Sequence, residues 1–170
     1  MAWATLGAVV TGIVACAWDI RARRLPNLLT FGSAAAAVGF FLLTQGVRGT
    51  AWSVAGWLAG CALFVPFFLL RGMGAGDVKL LAAMGAWVGP LTVLWVAFFT
   101  ALAGGVLAIA VALGHGYLRR AVKNVGYVLW YWGAVKPGPV PSLTLADAKG
   151  PRLPYAVPIA VGTVLALWLR

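Results

Sequence analysis

All the negative charge in this chain comes from three residues, Asp19, Asp77 and Asp147. Asp19 closes an apolar run that begins at Met1, and Ile20-Arg21-Ala22-Arg23-Arg24-Leu25-Pro26-Asn27 follows it. Asp77 lies in Arg71-Gly72-Met73-Gly74-Ala75-Gly76-Asp77-Val78-Lys79, between two further apolar runs. A carboxylate in or near hydrocarbon is costly, about 2.5–3.5 kcal/mol at the centre of a membrane helix, and persists where it has a partner or a task. Two carboxylates brought together cannot both ionise cheaply, so they share a proton. The ionised member can then activate a water while the protonated one polarises a carbonyl. Such a pair is equipped to hydrolyse a peptide bond. Asp147, near Lys149 and Arg152 in a polar stretch, reads instead as a solvated surface charge.

The glycines around Asp77 have a physical use beside it. Gly74 and Gly76 lack a Cβ, so the backbone there can approach a substrate closely and adopt positive φ. An unwound segment before Asp77 would also offer backbone donors and acceptors to an extended peptide. Taken singly, each signal is weak. An aspartate near arginines at a helix end is commonly a cap or an ion-pair partner, and glycine loops are common between membrane helices. The two aspartates together, in an otherwise nearly acid-free chain, are the stronger signal.

The elements that must position them are membrane helices. The chain has 170 residues, 63% hydrophobic and only 9% charged, with mean hydropathy +0.97. A soluble domain carries about 25% charged residues. The apolar runs are continuous rather than alternating, which points to helices and not to a barrel. The fold class expected is all-α: a polytopic membrane protein of about six transmembrane helices, with residues 1–170 forming a single membrane-embedded domain.

The expected spans are 1–18, 28–47, 49–70, a short helix over about 78–88, 91–113, and a last span opening at Leu153-Pro154-Tyr155-Ala156-Val157-Pro158. Met1–Trp18 has no basic residue ahead of it and no small-residue cleavage site, so it reads as a retained span. Pro26 suits the first turn of the second helix, Gly56 and Gly60 offer a small face for close packing, and Pro66 is a candidate kink. Gly89-Pro90 should break the uncharged stretch from Leu80 to Gly114 into a hairpin. Tyr117–Trp132, with Arg119, Arg120 and Lys123 among aromatics, suits a helix lying at the membrane interface. Lys136–Pro141 reads as extended.

Charge placement orients the whole. With a hairpin at Gly89-Pro90, eleven of the thirteen basic residues fall on one side, leaving Arg48 and Arg170 opposite. The positive-inside rule makes that side cytoplasmic and puts the N-terminus outside. The expected cytoplasmic loops are about 19–27, 71–79 and 114–152, so Asp19 and Asp77 stand at similar depth. The net charge of +10 is then a topology signal and a source of contacts to anionic lipid, not a nucleic-acid signal. Cys16 and Cys61 lie inside apolar runs and read as free membrane thiols.

These motifs, in this order, resemble those of the type IV prepilin peptidases, Gly-x-Gly-Asp aspartic proteases of the bacterial inner membrane. Asp19 with Arg24-Leu25-Pro26-Asn27 resembles the family's first aspartate and the Pro-Asn tail after it. Gly72-Met73-Gly74-Ala75-Gly76-Asp77-Val78-Lys79-Leu80 resembles the second motif almost throughout. Leu153–Pro158 looks like the Pro-Tyr segment before the last helix. The resemblance implies that Asp19 and Asp77 are the catalytic pair. Gly74 and Gly76 would be the conformational part of the motif that lets substrate approach, and Lys79 its basic companion. It further implies a prepilin or pseudopilin substrate cut at the cytoplasmic face, a place in pilus assembly or protein secretion, and no cofactor or metal. Larger members carry an N-terminal Cys-x-x-Cys region associated with N-methylation. This sequence opens on a membrane helix and resembles the short forms of tight-adherence (Flp) pilus systems, so methyltransferase activity is not expected.

Rival classes have less support. No His-Glu-x-x-His or Gly-x-Ser-x-Gly is present, and the single histidine, His115, lies at a loop edge. A small transporter using Asp19 and Asp77 as an ion site would want a broken-helix repeat or a row of polar pore residues, and neither is seen. An inactive assembly subunit would not need both aspartates.

Overall fold

The computed structural model describes residues 2–134, 138, 140 and 153–169. Asp147 and most of the proline-rich stretch lie outside them. The described residues form six helices: α1 (Ala2–Ala22), α2 (Asn27–Leu69), α3 (Ala75–Val88), α4 (Pro90–Gly114), α5 (Leu118–Ala134) and α6 (Ala156–Trp168). Three of these, α1, α2 and α4, are long and apolar enough to cross a membrane, and α6 is a shorter apolar helix. The protein is an all-helical, multi-pass membrane protein.

At 43 residues, α2 would be about 65 Å long if straight, twice the thickness of a bilayer core. Gly46 breaks it, with φ 64° and ψ −149°. That conformation is open to glycine and costly for other residues. The halves, 27–45 and 47–69, match the second and third spans expected from sequence. They fold back on each other, placing the Phe41 and Trp52 rings 5.1 Å apart. Pro66 lies within the last turn without breaking the helix, so the kink is at Gly46 rather than at the proline. Pro26 stands at the N-cap of α2, one residue before the first turn.

The molecule is built around α3. Leu80, Leu81, Ala82, Ala83, Met84, Gly85 and Ala86 are all buried, so this short helix presents apolar residues to neighbours on every side. The first half of α2 meets it through Ala34 and Ala37, which cluster with Ala83 and Ala86. The second half meets it through small residues. A Cβ on Gly60 would stand 2.6 Å from the Leu81 carbonyl oxygen, and one on Gly56 would collide with Gly85. The small face read at Gly56 and Gly60 is therefore where backbone meets backbone. Ser53 adds a hydrogen bond to the Ala86 carbonyl at 2.8 Å. On the other sides α1 and α6 complete the core with Ala8, Ala15, Ala156 and Ile159.

The hairpin expected at Gly89-Pro90 is present. Gly89, at φ 84°, ends α3 and Pro90 opens α4. Both cysteines are free, and Cys16 Sγ donates to the Ala156 carbonyl at 3.3 Å.

Candidate active site

Helix α1 does not stop at Trp18. It runs on through Asp19 to Ala22, so Asp19 is a residue of the last helical turn and not of a loop. Its side chain is buried, with 8% of its surface exposed. The Oδ2 atom accepts a hydrogen bond from the backbone N–H of Ala156 at 3.1 Å. Ala156 is the first residue of α6. Asp19 therefore caps the N-terminus of a helix far along the chain, where free N–H groups and the positive end of the helix dipole favour a carboxylate. The arginines that follow do not hold it; among the described residues Asp19 forms no ion pair.

Asp77 is placed by a different local rule. Helix α3 begins at Ala75, earlier than the sequence pattern suggests, so Gly76, Asp77 and Lys79 are all helical. Gly74 is the N-cap, in extended conformation at φ −79°. The Asp77 N–H donates to the Gly74 carbonyl at 3.2 Å, which sets the Asp77 side chain in the first turn of α3. Asp77 thus occupies the third helical position, where the free N–H groups and the positive end of the α3 dipole favour a carboxylate.

The expectation of positive φ at Gly74 and Gly76 is thus corrected: among the described glycines only Gly46, Gly89 and Gly116 adopt it. The two motif glycines serve contact instead. A Cβ on Gly74 would stand 3.3 Å from Asp77 Oδ2, and one on Gly76 would stand 3.4 Å from the Leu25 Cβ. The first motif therefore packs directly against the second.

The fold places the two aspartates in one neighbourhood, with Leu25 of the connection after α1 against Gly76 beside Asp77. They lie 58 positions apart in sequence (77 − 19), yet Asp77 is within electrostatic range of the Asp19 charge. Tyr155 joins them. It precedes the peptide N–H that binds Asp19, it feels the Asp77 charge, and its hydroxyl lies 3.3 Å from where a Cβ on Gly104 of α4 would be. Sequence reasoning marked Leu153–Pro158 as the opening of the last helix but did not place it at the site. The signal was the proline-flanked aromatic segment itself, which sets a helix start at a fixed point.

Lys79 faces elsewhere. Its Nζ donates to Asn27 Oδ1 at 2.9 Å and lies 5.3 Å from the centre of the Phe31 ring. His115 is exposed and bonds through Nδ1 to the Val111 carbonyl oxygen at the end of α4. No group of three or more metal-binding side chains occurs among the described residues.

Residues 6–109 match the model of the type IV leader peptidase family. The chain belongs to that family. Its matched stretch holds both aspartates, all of α3 and all but the first four residues of α1. The prepilin leader peptidase/N-methyltransferase of Aeromonas hydrophila is 34% identical over 150 residues, covering 77% of this chain and 51% of that protein. The protein of the same name from Aeromonas salmonicida (strain A449) is 34% identical over 147 residues, covering 77% and 50%. That of Neisseria gonorrhoeae is 39% identical over 82 residues, covering 46% and 27%. The chain spans about half the length of the first two. No solved structure matches it significantly.

Proposed function

We propose that this member of the leader peptidase family is an aspartic endopeptidase that removes the leader from type IV prepilins or prepilin-like proteins, with Asp19 and Asp77 as its catalytic pair. The observation that carries this is the placing of two carboxylates from α1 and α3 in one neighbourhood, Asp19 bound by the Ala156 N–H and Asp77 set in the first turn of α3, where the free N–H groups of a helix start gather. Those N–H groups and helix dipoles offset the repulsion of two acids placed together. One ionised carboxylate takes a proton from water as its oxygen attacks the scissile carbonyl carbon. Its protonated partner donates to the carbonyl oxygen, and collapse of the tetrahedral species passes a proton to the departing amine.

The site faces the cytoplasm in this reading, because the basic residues gather at the ends of helices that carry the aspartates. The substrate would present its cut site there, at the surface of the inner membrane. Helix α5 supports the same placement. Arg119, Arg120 and Lys123 share one face, while Val122, Val125 and Leu129 lie exposed on the other. Such a helix rests on an anionic lipid surface with its apolar side down.

The test is cleavage of a prepilin-like substrate by the reconstituted full chain. Asp19→Asn and Asp77→Asn should each lower the rate by about 10²- to 10⁴-fold, and Asp147→Asn should not. Wild-type rates from either of the first two variants, at normal protein levels, would overturn the proposal.

A further inference from the structure

Lys79 carries a charge within the second motif but stands two residues beyond Asp77 on the same helix. Residues two apart on a helix do not share a face. Its ammonium is turned to the α2 start, where it donates to Asn27 Oδ1 at 2.9 Å and lies over the Phe31 ring at 5.3 Å. Among the described residues no carboxylate pairs with it. Asn27 is the first residue of α2, and only the short connection 23–26 separates it from α1, which carries Asp19. On the same side of α3, Gly76 rests on Leu25 of that connection. Leu25 in turn packs on the main apolar core. The connection after Asp19 and the first turn of α3 are therefore joined twice, once by apolar contact and once by a charged donor on an amide oxygen.

We propose that Lys79 is a positioning residue: through Asn27 it ties the first turn of α3 to the α1–α2 connection and so fixes where Asp77 stands relative to Asp19. A lysine suits the task. A charge-assisted hydrogen bond is stronger than a neutral one, and the long apolar stem spans the gap while the head stays near the polar boundary. The inference rests on the aspartates acting as a pair, but its geometric part does not depend on what they cleave.

The experiment has two arms, both on the full chain. In the first, Lys79→Met should lower kcat by about 10- to 100-fold, the scale of a small misplacement of reacting groups, with KM nearly unchanged. Lys79→Arg, which can still reach Asn27 Oδ1, should recover most of the loss. Asn27→Ala should resemble Lys79→Met, and the double variant should be no worse than either. In the second arm, Cys16→Ser and Cys61→Ser remove the native thiols, and Asp19→Cys with Asp77→Cys reports proximity by the rate of disulfide formation. Adding Lys79→Met should slow that cross-linking several-fold, and Lys79→Arg should restore it.

An undiminished kcat in Lys79→Met, a raised KM with unchanged kcat, additive losses in the double variant, or cross-linking indifferent to residue 79 would each overturn the inference. If the chain cleaves no prepilin but cross-linking still depends on Lys79, the functional reading fails and the positioning role survives.

Discussion

Asp77 is placed by the start of its own helix, where its N–H donates to the carbonyl of Gly74, three residues before it. Asp19 takes its bond from Ala156, 137 residues away, on a helix that shares no local sequence with it. The first is a local device, formed whenever α3 forms. The second exists only when α1 and α6 are packed. The positive end of a helix serves both carboxylates, but one position is guaranteed by neighbours in the chain and the other by neighbours in space. Asp77 should therefore tolerate disturbance of the bundle better than Asp19, and Asp19 should tolerate changes in its own local sequence better than Asp77.

The largest effect that can break this comparison is removal of the distant donor. Ala156→Pro deletes the N–H that binds Asp19 at a helix position where proline is otherwise accepted. It also forces Tyr155 from its helical ψ of −17°, because the residue before proline avoids that region. To separate the two costs, the unfolding of Ala156→Pro should be measured with Asp19 intact and with Asp19→Ala. The penalty should be smaller in the second background by about 1.5–3 kcal/mol, the worth of a hydrogen bond to a charged group. Additive penalties would mean that the bond between Asp19 and Ala156 does not stabilise the bundle.

A smaller effect is expected at the local device. Gly74→Ala leaves an ordinary φ of −79° but puts a methyl about as close to Asp77 Oδ2 as the 3.3 Å measured for an ideal Cβ. The carboxylate must give by a few tenths of an ångström. Cleavage should slow by roughly 2- to 10-fold, under about 1.4 kcal/mol of barrier, with the unfolding midpoint unchanged. A loss as large as that of Asp77→Asn would show that the Asp77 position is less self-contained than its capping geometry implies.

The smallest effect concerns a strain that both regions share. Arg23, four residues after Asp19, and Arg71, six before Asp77, hold φ of 50° and 57°. Both lie just past helix ends, where glycine is the favoured residue. Arg71→Gly should raise stability by about 1 kcal/mol and leave cleavage as it was, read as an upward shift in the unfolding midpoint.

The breaks in the bundle are legible in the sequence, and the contacts that place the two aspartates are not. Breaks at Gly46 and Gly89 follow from glycine and proline between apolar runs, and the short α3 follows from what those breaks leave over. Helix boundaries were less legible. The charges after Trp18 suggest that α1 ends before Asp19, but the helix runs on to Ala22, with Asp19 buried against the start of α6 and residues 20–22 exposed. The Gly-x-Gly-Asp pattern points to a site and suggests backbone freedom at its glycines, whereas their use is close contact with Asp77 and Leu25. The bonds from Ala156 to Asp19 and from Lys79 to Asn27 leave no periodic trace, because each depends on which helices become neighbours.

The bond between Asp19 and Ala156 also imposes an order in time. Chains emerge N-terminus first, at about 5–20 residues per second. The 79 residues between Asp77 and Ala156 (156 − 77) then take about 4–16 s to make. Through that interval both carboxylates have been synthesised, and the matched stretch 6–109 is complete for part of it, but Asp19 has no α6 to cap. A nascent chain thus holds a half-assembled pair, and the arrival of its last helix in the membrane is the event that completes it.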